Sequence, residues 1–285
     1  MTEQTVNYSD WIGSKESRED DITASPVQAV LNVLDDATTI LKNGDSLPPL
    51  WHWFFFLPRV PMRQIGPDGH PQRGGFLPPV ALPRRMFAGA RMKFHDSLVI
   101  GRPATREGEV IAVQEKKGGT GTLVFVTVRY RIFQDGRLCV EEEQDIVYRE
   151  PGGPAPAPTL APDAPRNTGT AWVKTITPTP VLLFRFSAIT FNSHRIHYDR
   201  PYAMGEENYP ALMVHGPLTA TLLMDLVRNN TKRPVTEYTF RGRAPLFDLY
   251  PFHLMGRLSG NTVELEAQGP DGASCMTATA ELGGA

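Results

Sequence analysis

The sequence predicts an α+β protein built twice over, each half laying one helix against a curved antiparallel sheet. Three observations carry that prediction. Hydrophobic patterning passes from helical to strand-like period in the same order in both halves. A stretch rich in proline, glycine and alanine separates the halves. The composition, 41% hydrophobic and 21% charged over 285 residues, is that of a globular chain with room for two modest domains.

In the first half, SPVQAVLNVLDDATTIL reads as a helix. Ser25 suits its N-cap and Pro26 its first position, and Val27, Val30, Leu31 and Leu34 share one face. From Pro48 to Pro83, WHWFFFLP and GPDGHPQRGGFLPP predict irregular chain, with a short apolar helix near Trp51 to Phe56. Between Arg84 and Arg149 the pattern turns to β. LVFVTVRYRIF and RLCVEEEQDIVYR are rich in branched and aromatic residues and meet at Gln134-Asp135-Gly136, a hairpin signal. PGGPAPAPTLAPDAP favours extended chain and cannot build a core, which predicts a linker over 151–170 between domains at 1–150 and 171–285. The second half repeats the plan. LTATLLMDLVRNN is a helix pattern, followed by the strand-like TEYTFRGRAPLFDL, PFHLMGRLSG, NTVELEAQG and SCMTATAEL, with GPDGAS as the last turn. The order of elements matches better than the letters do, which predicts a divergent internal duplication.

Thirty-one acidic residues against 29 basic ones give a net charge of -2. That balance lacks the basic field a nucleic-acid partner would need. The start, MTEQTVNYSDW, has neither the basic head and apolar core of a secretory signal nor an arginine-rich transit character. The longest apolar run, Trp53 to Leu57 with its flanks, is too short to span a bilayer, so a cytoplasmic protein without membrane attachment is expected. Cys139 and Cys275 fall in strand-like runs outside any metal-ligand spacing, so no disulfide framework is expected and a reducing compartment is the default.

Chemistry concentrates in FRFSAITFNSHRIHYD, Phe184 to Asp199, and YPALMVHGPLTATLL, Tyr209 to Leu223. Three of the seven histidines, His194, His197 and His215, lie there. Histidines beside Asp and Asn are often surface groups or satisfied core groups, so clustering alone does not decide. A metal set of His194, His197, Asp199 and His215 lacks the glutamate base and helix spacing of zinc motifs, so neither metal nor cofactor is expected. A serine nucleophile would need a G-x-S-x-G elbow, which is absent, and neither cysteine has a histidine near it in sequence. The helix after His215 makes the sharper case. Gly216 followed by Pro217 marks a helix N-terminus, where backbone N–H groups are unpaired and the dipole favours negative charge. A glycine there lets a carbonyl approach the amides closely, as a thioester oxygen must while enolate character builds up.

FNSHRIHYD followed by VHGPLTATLL resembles the MaoC-like hydratases and dehydratases of the hot-dog superfamily. SDWIGSKESREDDIT and GPDGHPQRGGFLPPVALPRRMFAGARM resemble the N-terminal dehydratase-like domain of the subgroup containing mesaconyl-CoA and itaconyl-CoA hydratases. Fungal mitochondrial hydroxyacyl-thioester dehydratases share the FNxHRIHYD signature. Together the resemblance covers nearly the whole chain. It implies a double hot-dog fold and a hydro-lyase acting on an acyl thioester, with the catalytic histidine at His197 and the helix motif on His215 to Leu218. One departure stands out. The catalytic Asp of the general family, five residues before the histidine, is Asn192 here, as in the subgroup, and an amide cannot accept a proton at neutral pH.

The resemblance and the chemistry together give expected roles. Gly216 N–H polarises the thioester carbonyl. His197, with a reference pKa of about 6.5, moves the protons. Asn192 holds the attacking water, unless it only caps a turn as asparagine commonly does, and His215 fixes the loop before the helix. Arg195 and Arg185 are candidates for the free carboxylate of a dicarboxylic acyl group, which a planar guanidinium suits. Arg84, Arg85 and Arg91 are candidates for the phosphates of CoA. The first half, lacking such a constellation, is expected to complete the fold and one wall of the acyl pocket, for which WHWFFFLP and RGGFLPP offer apolar surface, with core packing the preferred reading of WHWFFFLP. The expected reaction is hydration of itaconyl-CoA or mesaconyl-CoA to citramalyl-CoA. Alternatives are a (3R)-hydroxyacyl-thioester dehydratase of fatty acid synthesis, a non-catalytic acyl-CoA-binding hot-dog protein, and a hot-dog thioesterase. A homodimer is also expected.

Overall fold

Alternation in LVFVTVRYRIF puts every second side chain on one face, and this segment forms a strand, β4 (Gly121–Gln134), whose Val124, Val126 and Val128 are buried. It turns at Asp135 and Gly136, both with positive φ, into β5 (Arg137–Arg149), the hairpin expected from Asp-Gly. A computed structural model describes residues 6–118, 121–151, 153, 155–160 and 172–284. The remaining strands are β1 (Lys15–Asp21), β2 (Arg84–Phe94), β3 (Pro103–Gly118), β6 (Trp172–Ile176), β7 (Val235–Gly242), β8 (Phe252–Ser259), β9 (Thr262–Gln268) and β10 (Ser274–Leu282). All ten join one antiparallel sheet in the order β1-β3-β4-β5-β2-β7-β10-β9-β8-β6. Read inward from each edge the order is the same in both halves, with β6, β8, β9, β10 and β7 answering β1, β3, β4, β5 and β2.

The halves meet where β2 pairs with β7, Gly89 opposite Arg241 and Lys93 opposite Glu237. Gly89 is required there, because a Cβ would stand 2.5 Å from the Phe240 carbonyl oxygen. Two helices contribute buried faces to the core. α1 (Ala24–Leu34) buries Val27, Val30, Leu31 and Leu34, as its periodicity predicts. It is shorter than expected and starts earlier. Thr23, not Ser25, is the N-cap residue, and Asp35 in the left-handed region ends the helix. The following DDATTIL does not continue it, because the Asp36 carboxylate accepts hydrogen bonds from Thr38 and Thr39 instead. α4 (Gly216–Asn230) is the long central helix of the second half and buries every residue from Leu218 to Val227.

Several elements lack an early signal. β1, KESREDD, has no apolar alternation and is a charged edge strand of the kind that resists edge-to-edge pairing. α2 (Pro180–Ile189) and α3 (Arg200–Gly205) are short helices in the chemistry-bearing segment. Conversely, the second part of TEYTFRGRAPLFDL is loop after Gly242. WHWF is a single 3-10 turn, Trp51–Phe54. Of the stretch expected as a linker, the described residues 151, 153 and 155–160 carry no helix or strand, and 161–170 lie outside the described residues. Both cysteines are free and buried. No helix among the described residues is long and apolar enough to cross a membrane.

Candidate active site

Thr179 caps α2 through its side-chain oxygen, which accepts from the Leu182 N–H, and Pro180 occupies the first turn. At its other end Phe191, with φ of 50°, turns the chain sharply into Asn192-Ser193-His194. Asn192 Oδ1 accepts the His194 N–H at 3.0 Å, so asparagine does cap the turn. It also lines a cavity of about 930 Å³ that opens between the two halves. His194, His197 and Gly216 share that wall with His70 and Arg85 from the first half.

His197 sits in a 3-10 turn, Arg195–His197, and is buried. Its Nδ1 lies 2.7 Å from the Met213 carbonyl oxygen, which makes Nδ1 the protonated nitrogen and leaves Nε2 with a free lone pair. Burial pulls its pKa down to about 4, against the smaller upward pull of that carbonyl. His215 stacks on it at 3.6 Å between ring centroids. The Nε2 of His215 pairs with Ser187 Oγ at 2.8 Å, and burial holds its pKa well below the ordinary value. His215 thus ties α2 to the start of α4, with Phe186 edge-on against its ring.

α4 opens at Gly216 with His215 as the N-cap residue and Pro217 in the first turn. Pro217 has no N–H, so the amide of Gly216 is the donor at the cavity wall. A Cβ on Gly216 would meet nothing nearer than the Phe87 carbonyl oxygen at 3.8 Å, so the glycine leaves open space beside its amide.

The first half delivers more to this wall than its sequence suggests. The loop Gly66–His70 docks onto the Asn192–Arg195 turn through Ser193 Oγ–H to the Gly69 carbonyl, Arg195 N–H to the Asp68 carbonyl and Arg195 Nη1 to the Pro67 carbonyl. Gly69 has a φ of 92°, and a Cβ there would lie 1.8 Å from the Ser193 carbonyl oxygen, so only glycine fits. The adjacent His70 Nδ1 meets Asp68 Oδ2 at 3.1 Å, and its ring lies 4.1 Å from that of His194. Asp68 and His70 escaped the sequence reading because nothing in GPDGHP says which distant segment it touches. WHWFFFLP is core packing, as expected, but also polar. His52 Nε2 and Trp53 Nε1 both contact the buried Glu142 carboxylate, at 3.0 and 2.9 Å.

The five arginine candidates divide sharply. Arg85 on β2 is half-buried on the cavity wall and makes no hydrogen bond or ion pair with another described residue. Its charge adds to burial in lowering the pKa values of His70 and His194, which puts it beside the imidazoles. The other four arginines stand off the cavity wall. Arg195 chelates Asp199 in an i,i+4 pair and lies over the Tyr202 ring. Arg185 points outward from α2 because its helix buries Leu183, Phe186 and Ser187 on the opposite side. Arg84 is buried against Glu207 and Tyr209. Arg91 is spent on Glu143 and Asp145 across the outer face of the sheet.

Asp199, weighed as a metal ligand, caps α3 and holds Arg195. Among the described residues the close set of ligand-type side chains is instead Asp68, His70 and His194, whose donor atoms lie within 4.8 Å of one another.

Comparison with known proteins identifies the family and the fold. Residues 50–248 match the family model of hydroxyacyl-thioester dehydratase type 2. The chain is 56% identical over 280 residues to mesaconyl-C(4)-CoA hydratase of Chloroflexus aurantiacus, covering 98% of this chain and 99% of that one. Among solved structures, HtdX of Mycobacterium tuberculosis superposes with a TM-score of 0.68 at 17% identity, over 94% of this chain and 99% of the other. A second protein of that organism, described as having a double hot-dog fold, superposes with a TM-score of 0.58 at 13% identity, covering 96% and 98%. The fold is therefore the double hot-dog, and the chain belongs to the hydroxyacyl-thioester dehydratase type 2 family of hydro-lyases.

Proposed function

We propose that the protein hydrates mesaconyl-CoA esterified at C4, giving a citramalyl thioester. The relative's activity supports the substrate class, and Arg85 is the single observation that carries the acyl group. A C4 thioester of mesaconate bears its free carboxylate and its methyl group on Cβ, the carbon that receives water. The cation for that carboxylate must then stand beside the proton-transfer groups, and Arg85 does, unpaired and next to His70 and His194. It is reassigned here from the phosphates of CoA to the acyl carboxylate.

The thioester oxygen faces the Gly216 N–H at the start of α4, where the dipole and unpaired amide stabilise the enolate. His197, neutral at pH 7 with Nε2 free, is the base toward water and returns a proton to Cα in the simplest scheme. Asn192 lends its remaining amide capacity to the water while its Oδ1 holds the turn.

The test offers the purified protein mesaconyl-C4-CoA, itaconyl-CoA and crotonyl-CoA, with product formation followed and His197→Ala run beside it. Mesaconyl-C4-CoA is expected to be fastest, and the variant to lose about 10²- to 10⁴-fold in kcat. Preference for crotonyl-CoA would support the fatty-acid dehydratase reading instead. Binding without turnover would make the protein a carrier, and release of free CoA thiol a thioesterase.

A further inference from the structure

The hydratase reading, on which this inference rests, leaves His197 with a difficulty. It must become an imidazolium in a buried place where its second nitrogen meets only the neutral Met213 carbonyl. Its stacking partner His215 is another uncharged ring, and the residue at the place of the family's carboxylate is Asn192. A histidine backed by a carboxylate does stand in the same cavity, and it comes from the other half of the chain. His70 Nδ1 lies 3.1 Å from Asp68 Oδ2, and Asp68 Oδ1 accepts the His70 backbone N–H at 3.0 Å, so both carboxylate oxygens fix this residue. That bond makes Nδ1 the protonated nitrogen and leaves Nε2 as an acceptor with no hydrogen-bond partner among the described residues. The loop is docked in place, with Gly69 seated against Ser193 and Arg195 N–H donating to the Asp68 carbonyl. His70, His194 and His197 form a row of rings, 4.1 and 5.5 Å between successive centroids, all on the cavity wall.

We infer that His70, backed by Asp68, is a second catalytic residue of the hydration and takes over from His197 the removal of the water proton, as the general base that Asn192 cannot be. The attacking water lies against the acceptor His70 Nε2, on the cavity wall that His194 and His197 share. As its oxygen bonds Cβ, its O–H bond toward His70 breaks and that proton passes to His70 Nε2. The π pair moves to Cα and onto the thioester oxygen at Gly216. The imidazolium so formed is stabilised by Asp68, against burial and the charges of Arg85 and Arg73, and then gives a proton to Cα, leaving both histidines neutral. The carboxylate behind the ring does here what it does in a Ser-His-Asp triad: it fixes the tautomer and favours the charged intermediate. The charges facing His70 are Asp68 on its own loop, Arg73 and Arg85 on the first-half side, and His194 and His197 across the cavity.

Full-length His70→Gln and Asp68→Asn proteins test it, with kcat and KM for mesaconyl-C4-CoA measured from pH 4 to 9 and melting curves for folding. Asp68→Asn keeps an oxygen for the His70 N–H, so it serves as the gentler variant. His70→Gln is expected to lose about 10²-fold or more in kcat with KM little changed. Asp68→Asn is expected to lower kcat and also to move the acid limb of the rate profile to lower pH, since removing the carboxylate lowers the pKa of the base. A purely structural loop contact would not move that limb. Folded variants with wild-type kcat and an unmoved limb overturn the inference while the wild type still confirms the hydratase. A wild type inert toward the thioester overturns both. Stoichiometric metal in the purified protein, with turnover lost on chelation, would also overturn it, by showing that Asp68, His70 and His194 hold an ion.

Discussion

The two halves share one strand order but use the starts of their helices in opposite ways. α1 begins at Ala24 beside Asp20 and Asp21, with Asp20 accepting the Phe56 N–H. α4 begins at Gly216 beside neutral imidazoles and, across the cavity, the guanidinium of Arg85. An anion is repelled at the first helix start and welcomed at the second. The sheet is therefore common scaffolding, and a few residues flanking a helix terminus decide which helix start favours negative charge.

That contrast can be broken most forcefully at α4 itself. Gly216→Pro removes the amide donor, and kcat is expected to fall about 10²- to 10³-fold while thioester binding persists, read from steady-state kinetics and competitive binding of an unreactive analogue. Arg85→Met should abolish discrimination rather than turnover. The ratio of kcat/KM for mesaconyl-C4-CoA over crotonyl-CoA is expected to drop by about 10- to 100-fold, mainly through the dicarboxylic substrate. Equal losses on both substrates would move Arg85 back to CoA recognition.

Acid should weaken the fold through the buried histidines of the cavity wall. His197 titrates near 4 in the folded chain against about 6.5 unfolded, and burial lowers His70, His194 and His215 too. The unfolded chain thus binds more protons between those values, so stability rises with pH through that window and is lost as pH falls from about 6.5 toward 4. The melting temperature is expected to fall over that range, and less so in His197→Gln. The smallest effect compares caps. Thr179→Ala is expected to cost about 1 kcal/mol in chemical denaturation, because its oxygen caps α2, whereas Thr23→Ala, which loses no cap bond, costs less than about 0.5 kcal/mol.

What the sequence disclosed follows from range. Asp135-Gly136, the valines of β4 and the HGPL start of α4 are local signals, each set by a few neighbouring residues, and each appears in the fold as expected. The histidine row of the second half was legible for the same reason. Asp68 and His70 were not, since they reach the site only by a loop docked on a turn more than a hundred residues away, held by backbone carbonyls that any sequence supplies. Arginines were the least legible, because whether a guanidinium is free depends on the carboxylates near it in space. Arg91 and Arg195 had such partners and Arg85 did not. β1 was hidden because an edge strand of charged residues carries no period to read.

The central joint has a historical consequence. β2 and β7 hold the same place in their respective halves and run antiparallel to each other, which is how one strand meets its own copy across a two-fold axis. A single-unit ancestor pairing with itself along that strand would have built this sheet from two separate chains, with two equivalent sites. Fusion of two such chains would remove the obligation to keep both, leaving one copy free to exchange a catalytic motif for a loop that docks on the other, an asymmetric enzyme inside a symmetric frame.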